Sequence, residues 1–244
     1  GRPVPGSDGE GELHGGLRLI RDAPRPYSRA PGAATAFRRQ TASQNRQSKS
    51  PMSLPDIDVL AADDARPAVP LHAVPAAAFE AFAAEQGQRF AAWAKAQDFS
   101  GQSGRLLLVP DEAGALGLAV LGAGKGDDKL IFGAAAALPA GDYRIAGDGG
   151  TGGHFAALGF ALGAYAYTAF KPSKAKAAKA RLLVDPAVLP GAVRQARAIW
   201  FARDLVNAPA NAMGPADLER AARIVAAAGG AAVRVVEGDD LLAR

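Results

Sequence analysis

A chain of 244 residues, 49% hydrophobic and 21% charged, has the make-up of a globular protein able to bury a core. It contains no cysteine, which excludes disulfides and thiolate metal sites and is compatible with a reducing compartment. The pI of about 9.5 suggests a nucleic-acid binder, but nine of the 28 Lys and Arg lie in residues 1–51 against four of the 24 Asp and Glu; the 19 basic and 20 acidic residues left give 52–244 a net charge of −1, so the basicity belongs to the leader.

That leader is rich in Pro, Gly, Ser and Arg and has no sustained apolar period, so residues 1–51 are expected to be disordered. It has no apolar h-region, which argues against a secretory signal, while an Arg- and Ser-rich, acid-poor composition is also that of a transit peptide. Met52 opens "MSLPDIDVL" like a natural start, and a mistranslated leader or non-native extension is the simpler reading of what precedes it. His14 lies in this segment.

From Met52 the elements alternate. "DIDVLAA" (56–62) predicts a strand, and Phe79, Phe82, Phe90 and Trp93 fall at helical spacings within Ala76 to Gln97. His72 falls in what reads as a Pro-rich connector between the two. "RLLLVP" (105–110) and "LGLAVLG" (116–122) are short apolar runs bounded by Gly, Pro and Asp, which predicts buried strands. "LIFGAAAAL" (130–138) fits strand or helix, "DYRIAG" (142–147) a strand, and Gly153 to Phe170 a buried helix. The apolar run His154–Phe170 is shorter than the roughly 20 residues of a membrane span and is interrupted twice by Gly. "RLLVD" (181–185) predicts another strand and Leu189 to Asn207 a helix. Strands alternating with helices predict an α/β layer with helices packed on a mostly parallel or mixed sheet. No internal repeat is visible.

The passage "ARDLVNAPANAMGPADLE" (202–219) places two Asn and two Pro between helical segments. Asn207 and Asn211 can bond neighbouring backbone through their amides, while Pro209 and Pro215 fix φ and remove a donor, which predicts a stiff, extended connector. Pro215 is placed as a first-turn residue of the next helix, which Gly229 and Gly230 end. Such stiffness suits a boundary between domains.

Together with "VRVVEGDDLLAR" (233–244), this passage resembles the interdomain passage of the leucyl aminopeptidase family, also called cytosol aminopeptidases. The resemblance extends back through "LPAGDYRI", "ALGFALGAYAYTAFK" and "RLLVD", covering roughly Met52 to Arg244. Ala208 stands where the family more often has Thr, and Ala212 where it often has Asp. The resemblance implies a macro-domain-like mixed sheet flanked by helices over 52–187, a linker helix and Asn/Pro connector over 188–214, and the start of a truncated catalytic α/β domain over 215–244. It also implies a cytoplasmic homohexamer that removes N-terminal residues from peptides, with two divalent metals, Mn or Zn, activating a water and polarising the scissile carbonyl. The metal-ligand motifs of the family, similar to "VGKGVCFDTGG" and "NTDAEGR", do not occur in this sequence. No catalytic, cofactor or metal-ligating residue is therefore assigned, and this chain by itself is expected to be inactive and to bind no metal.

Other chemistry is less well supported by the residues. The adjacent acidic pairs Asp63–Asp64, Asp127–Asp128 and Asp239–Asp240 do not chelate by themselves, since neighbouring side chains diverge on a helix or strand. His14, His72 and His154 are far apart and lack the i, i+4 spacing of a helical metal site. "GAGKGDDK" (122–129) lacks the spacing and terminal Ser or Thr of a P-loop; "GDGGTGGHF" (147–155) leads into a helix whose N-terminal amides could hold an anion. For both, a flexible turn is the plainer reading. Lys171, Lys174, Lys176 and Lys179 read as a solvated linker before they read as a nucleic-acid surface. A macro-like binding module for a nucleotide or nucleic acid, or a purely structural assembly domain, are the competing functions.

Overall fold

The computed structural model describes residues 52–147, 152–169 and 179–241. By its contacts the chain divides into Gly1–Ser48, outside the described residues, and Lys49–Arg244, to which every element below belongs. The expectations for residues 1–51 and for Lys171, Lys174 and Lys176 therefore fall outside the description.

Six strands form one sheet in the order β1-β6-β5-β2-β4-β3: β1 (Leu60–Ala62), β2 (Val69–Val74), β3 (Leu106–Pro110), β4 (Leu116–Gly122), β5 (Gly141–Ile145) and β6 (Ala180–Val184). All neighbours run parallel except β3 and β4, which pair antiparallel at one edge. The mixed, mostly parallel sheet is the one the alternating elements predicted.

Period-2 alternation sorts the core into two layers. Leu71, Ala119, Leu121, Tyr143, Leu182 and Val184 bury on one face. There α3 (Gly152–Gly163) supplies Ala157, Phe160 and Ala161, and α4 (Leu189–Asn207) supplies Ala192, Ala196 and Trp200. A 3₁₀ stretch, Ile131–Ala137, completes that layer and settles the ambiguous "LIFGAAAAL" as helical. On the opposite face Val74, Leu107 and Val120 meet Phe79, Ala83, Phe90 and Ala94 from α1 (Phe79–Gln86) and α2 (Gln88–Ala96).

Four expectations need correction. "VPLHAV" is strand β2 at the centre of the sheet, so His72 sits on a strand and not in a connector. Its flanking prolines obscured a run whose inner residue, Leu71, is fully buried. The segment 76–97 is a 3₁₀ turn followed by two helices, broken at Gly87, whose φ of 89° no continuous right-handed helix can hold. The helix from Gly152 stops at Gly163, six residues before Ala169, because Tyr165 leaves it to pack edge-on against Trp200, ring centroids 5.7 Å apart. The connector folds as a turn in place of running extended, with the Pro209 carbonyl accepting from the amides of Ala212 (2.8 Å) and Met213 (3.0 Å).

Beyond the connector, α5 (Pro215–Gly229) starts at Pro215, as the sequence predicted. The Asp217 carboxylate accepts from the Gly214 amide at 3.0 Å, and Gly230, in a left-handed conformation, ends the helix. Residues 231–237, which include the strand-like "VRVV", pair with no strand among the described residues.

Candidate functional site

In open parallel sheets, ligands bind beyond the carboxyl ends of the strands. Here those ends present Asp63 and Asp64 after β1, Pro75 and Ala76 after β2, the Ala123–Asp128 loop after β4, Ala146 and Gly147 after β5, and Asp185 after β6. A groove of about 600 Å³ lies beside the β2 and β4 ends, lined by Ala76, Ala77, Ser103, Ala123, Gly124, Lys125, Asp127 and Asp128. It contains the glycine run singled out in the sequence. A Cβ at Gly122 would stand 2.0 Å from the Gln102 carbonyl oxygen and one at Gly124 2.8 Å from the Ser103 Cβ, so the start of this run is closely packed. With one lysine against two carboxylates the groove is poorly suited to a phosphate, and Asp128 Oδ1 is already bonded by the Leu130 amide at 2.8 Å.

The remaining candidates have structural partners. The Arg144 guanidinium grips Asp63 with two bonds of 2.6 and 2.7 Å and donates to the Arg66 carbonyl at 2.9 Å. Arg66 holds Asp64 at 2.6 Å through each of two nitrogens and approaches Asp142 at 3.6 Å, and Arg181 takes Asp142 at 2.7 and 3.0 Å. Asp63 and Asp64, adjacent in sequence, are thus drawn to different arginines in one network across β1, β5 and β6. The hydrogen bonds from Arg144 and the Ala65 amide hold the Asp63 carboxyl below its ordinary range, and the Arg66 bond brings Asp64 down from 3.8 to about 2.

Because both folded-state values lie below the unfolded ones, the network adds stability above pH about 4 and loses it as pH falls toward about 2. Arg144→Gln is expected to move the acid-unfolding midpoint to higher pH. The gap from the parent should shrink in 1 M salt, as read by circular dichroism, because the pair is only partly buried and open to screening. An unchanged midpoint contradicts this account of the network.

His72 rests its ring on Phe82, centroids 5.0 Å apart, and burial pushes its imidazole pKa down. His154 Nε2 meets Gln195 Oε1 at 2.8 Å, and Lys129 stands over the neighbouring Phe155 ring at 5.4 Å. Lys179 Nζ lies 3.9 Å from Asp58. Asp239 and Asp240 are exposed in a 3₁₀ turn, Gly238–Leu241. Among the described residues no three His, Asp or Glu side chains come together as a group able to hold a metal ion. No described helix is long and apolar enough to cross a membrane.

Helix α4 carries an arrangement the sequence reading missed. Trp200, Arg203, Asp204 and Asn207, at i, i+3, i+4 and i+7, share one face of α4. The Trp200 indole donates to the Ala161 carbonyl at 3.0 Å and Arg203 to the Leu162 carbonyl at 3.0 Å. The Tyr165 hydroxyl donates to Asp204 at 2.9 Å and accepts from the Asn207 amide at 3.0 Å. Asn207 was expected to bond nearby backbone; it reaches across to another segment. The i, i+3, i+4, i+7 spacing of polar residues beside a tryptophan was the available signal.

These features define a class: a three-layer α/β domain with a mixed six-stranded sheet, followed by a linker helix and an exposed further helix. Residues 69–184 match the family described as the M17 aminopeptidase N-terminal domain. A crystal structure of cytosol aminopeptidase from Coxiella burnetii superposes with a TM-score of 0.68 at 27% identity, covering 76% of this chain and 41% of that one. Residues 69–184 are thus similar to the N-terminal domain of M17 aminopeptidases, and the fold is that of the cytosol aminopeptidase it superposes on.

A tomato leucine aminopeptidase mutant (TM-score 0.56, 18% identity) covers 72% of this chain and 43% of its own. The bottromycin maturation enzyme BotP in complex with Mn (0.53, 24%) covers 72% and 39%. At these identities the likeness is one of fold. No curated protein matches the chain by sequence. The chain spans about two fifths of the length of the structures it matches. The divalent metal bound by one of those relatives does not fit the described residues here, since no acidic or histidine cluster is present among them and Asp63 and Asp64 are committed to arginines.

Proposed function

We propose that this chain is the N-terminal part of a leucyl-aminopeptidase-like metallopeptidase that releases N-terminal amino acids from peptides, and that the described domain serves placement and assembly. The observation that carries the reading is α5. The helix buries only Asp217 and Ala221, while Leu218 and Val225 are more than half exposed, at 58% and 51%. Val235 and Leu241 after it are also exposed. Apolar residues on a capped helix beyond a connector are the expected start of a second α/β domain that supplies their cover. On this reading the boundaries are 52–187, 188–214 and 215–244, and the exposure of α5 supports the last of them.

The family relation supports peptide substrates, two divalent metals in the catalytic half, a homohexamer and a cytoplasmic location. A macro-like nucleotide-binding role has less behind it, because the groove beside β4 sets two carboxylates, Asp127 and Asp128, against the single Lys125.

The test is a peptidase assay on two polypeptides. This chain alone is expected to release no p-nitroaniline from leucyl-p-nitroanilide with Mn²⁺ or Zn²⁺, whereas the same chain continued into an aminopeptidase catalytic domain is expected to turn over. Metal-dependent turnover by the chain alone, above a mock preparation, contradicts the proposal.

A further inference from the structure

We propose that Tyr165, Asp204 and Asn207, with Arg203 lying over the tyrosine ring, form a polar clamp that fixes the last two turns of α4 and thereby the point from which the connector departs. The need for such a device shows in the burial. From Ala202 to Ala216 no residue is buried, and Val206 is 85% exposed, so no apolar core holds this end of the helix.

The side chains supply the hold instead. One hydroxyl, on Tyr165, acts twice: it donates to Asp204 Oδ1 at 2.9 Å and accepts from Asn207 Nδ2 at 3.0 Å. The Arg203 guanidinium sits 5.2 Å from the Tyr165 ring centre while donating to the Leu162 carbonyl, so the ring is held by both a cation and Trp200. Leu162 and Ala161 belong to the last turn of α3, whose terminal carbonyls lack helical donors. Arg203 and Trp200 fill that role, which anchors the clamp to the sheet-packed core. The inference concerns this chain alone and stands apart from the peptidase reading.

The clamp makes Tyr165 a positioning residue with a specific signature. Tyr165→Phe keeps the ring and its packing and removes both hydroxyl bonds. Exchange of the Ala208 amide, which donates to the Asp204 carbonyl, is expected to speed about tenfold, with the amides of β2 and β4 unchanged. Since the chain has no cysteine, spin labels can be placed at Arg194→Cys and Asn211→Cys, both exposed. The distance distribution between them is expected to be narrow in the parent and at least twofold wider in Tyr165→Phe.

Unchanged exchange and width in Tyr165→Phe overturns the proposal, as does a distribution already broad in the parent. Should Tyr165→Phe lose protection throughout the sheet, Asn207→Ala at an exposed position decides. A rise of about threefold or more in Ala208 exchange supports the clamp, and no change overturns it.

Discussion

Gly163→Ala is expected to destabilise the domain by about 3 kcal/mol or more and to lower its melting temperature by roughly 6–12 °C. A Cβ at Gly163 would lie 2.0 Å from the Gly133 carbonyl oxygen, and one at Gly159 would lie 2.7 Å from the Leu130 oxygen. Both obstacles are backbone, which cannot swing aside as a side chain would. The α3 helix must lift from the 3₁₀ stretch Ile131–Ala137, opening the layer in which Phe132, Phe160 and Ala161 are fully buried. Against this stands only the gain of about 1 kcal/mol from replacing a helical glycine by alanine. Gly153→Ala, in the same helix, is the control. Its Cβ would meet nothing nearer than Val188 at 3.8 Å, so its melting temperature should be unchanged or slightly higher. Equal thermal unfolding of both variants in calorimetry contradicts the close-approach account.

These glycines show where the sequence could and could not be read. In "LGFALG" they appeared as interruptions that ruled out a membrane span; that two glycines four apart are the surface on which a second backbone rests depends on Gly133, 26 residues earlier. Strands β3 and β4 were legible because an uninterrupted apolar run between turn residues can do little else. Strand β2 was not legible, since prolines at its start and just beyond its end imitate a connector and only its pairing with β4 and β5 reveals a central strand.

Trp93 shares a helical spacing with Phe79, Phe82 and Phe90, and it is 37% exposed with its indole donating to the Leu108 carbonyl at 2.9 Å. That carbonyl belongs to edge strand β3, so Trp93 covers part of the open sheet margin, a role set by tertiary placement. The connector was legible as a boundary from its prolines and asparagines, because proline cannot continue a helix beyond its first turn and asparagine favours turns. The Tyr165 partner of Asn207 was not, because it lies on a chain segment some forty residues away. The sheet order, which the sequence does not show, brings Arg144 to Asp63, whereas Asp64 meets Arg66 two residues further on.

We propose that α5 lies outside the cooperative core of the domain and belongs to a second unit. Helices of 12–15 residues are marginal in water without tertiary packing, and the 15 residues of α5 bury only Asp217 and Ala221. In β2, β4 and the Ala192–Trp200 part of α4, the buried side chains tie amide opening to unfolding of the whole domain. Native-state hydrogen exchange on this chain therefore divides the two accounts in a single measurement. Amides of α5 beyond its first turn are expected to exchange within about 10²-fold of the unfolded rate, while those of β2, β4 and central α4 are slowed by at least about 10⁴-fold. If α5 is protected to the same degree as the sheet, it is part of the N-terminal domain and the proposed boundary at 214 is wrong.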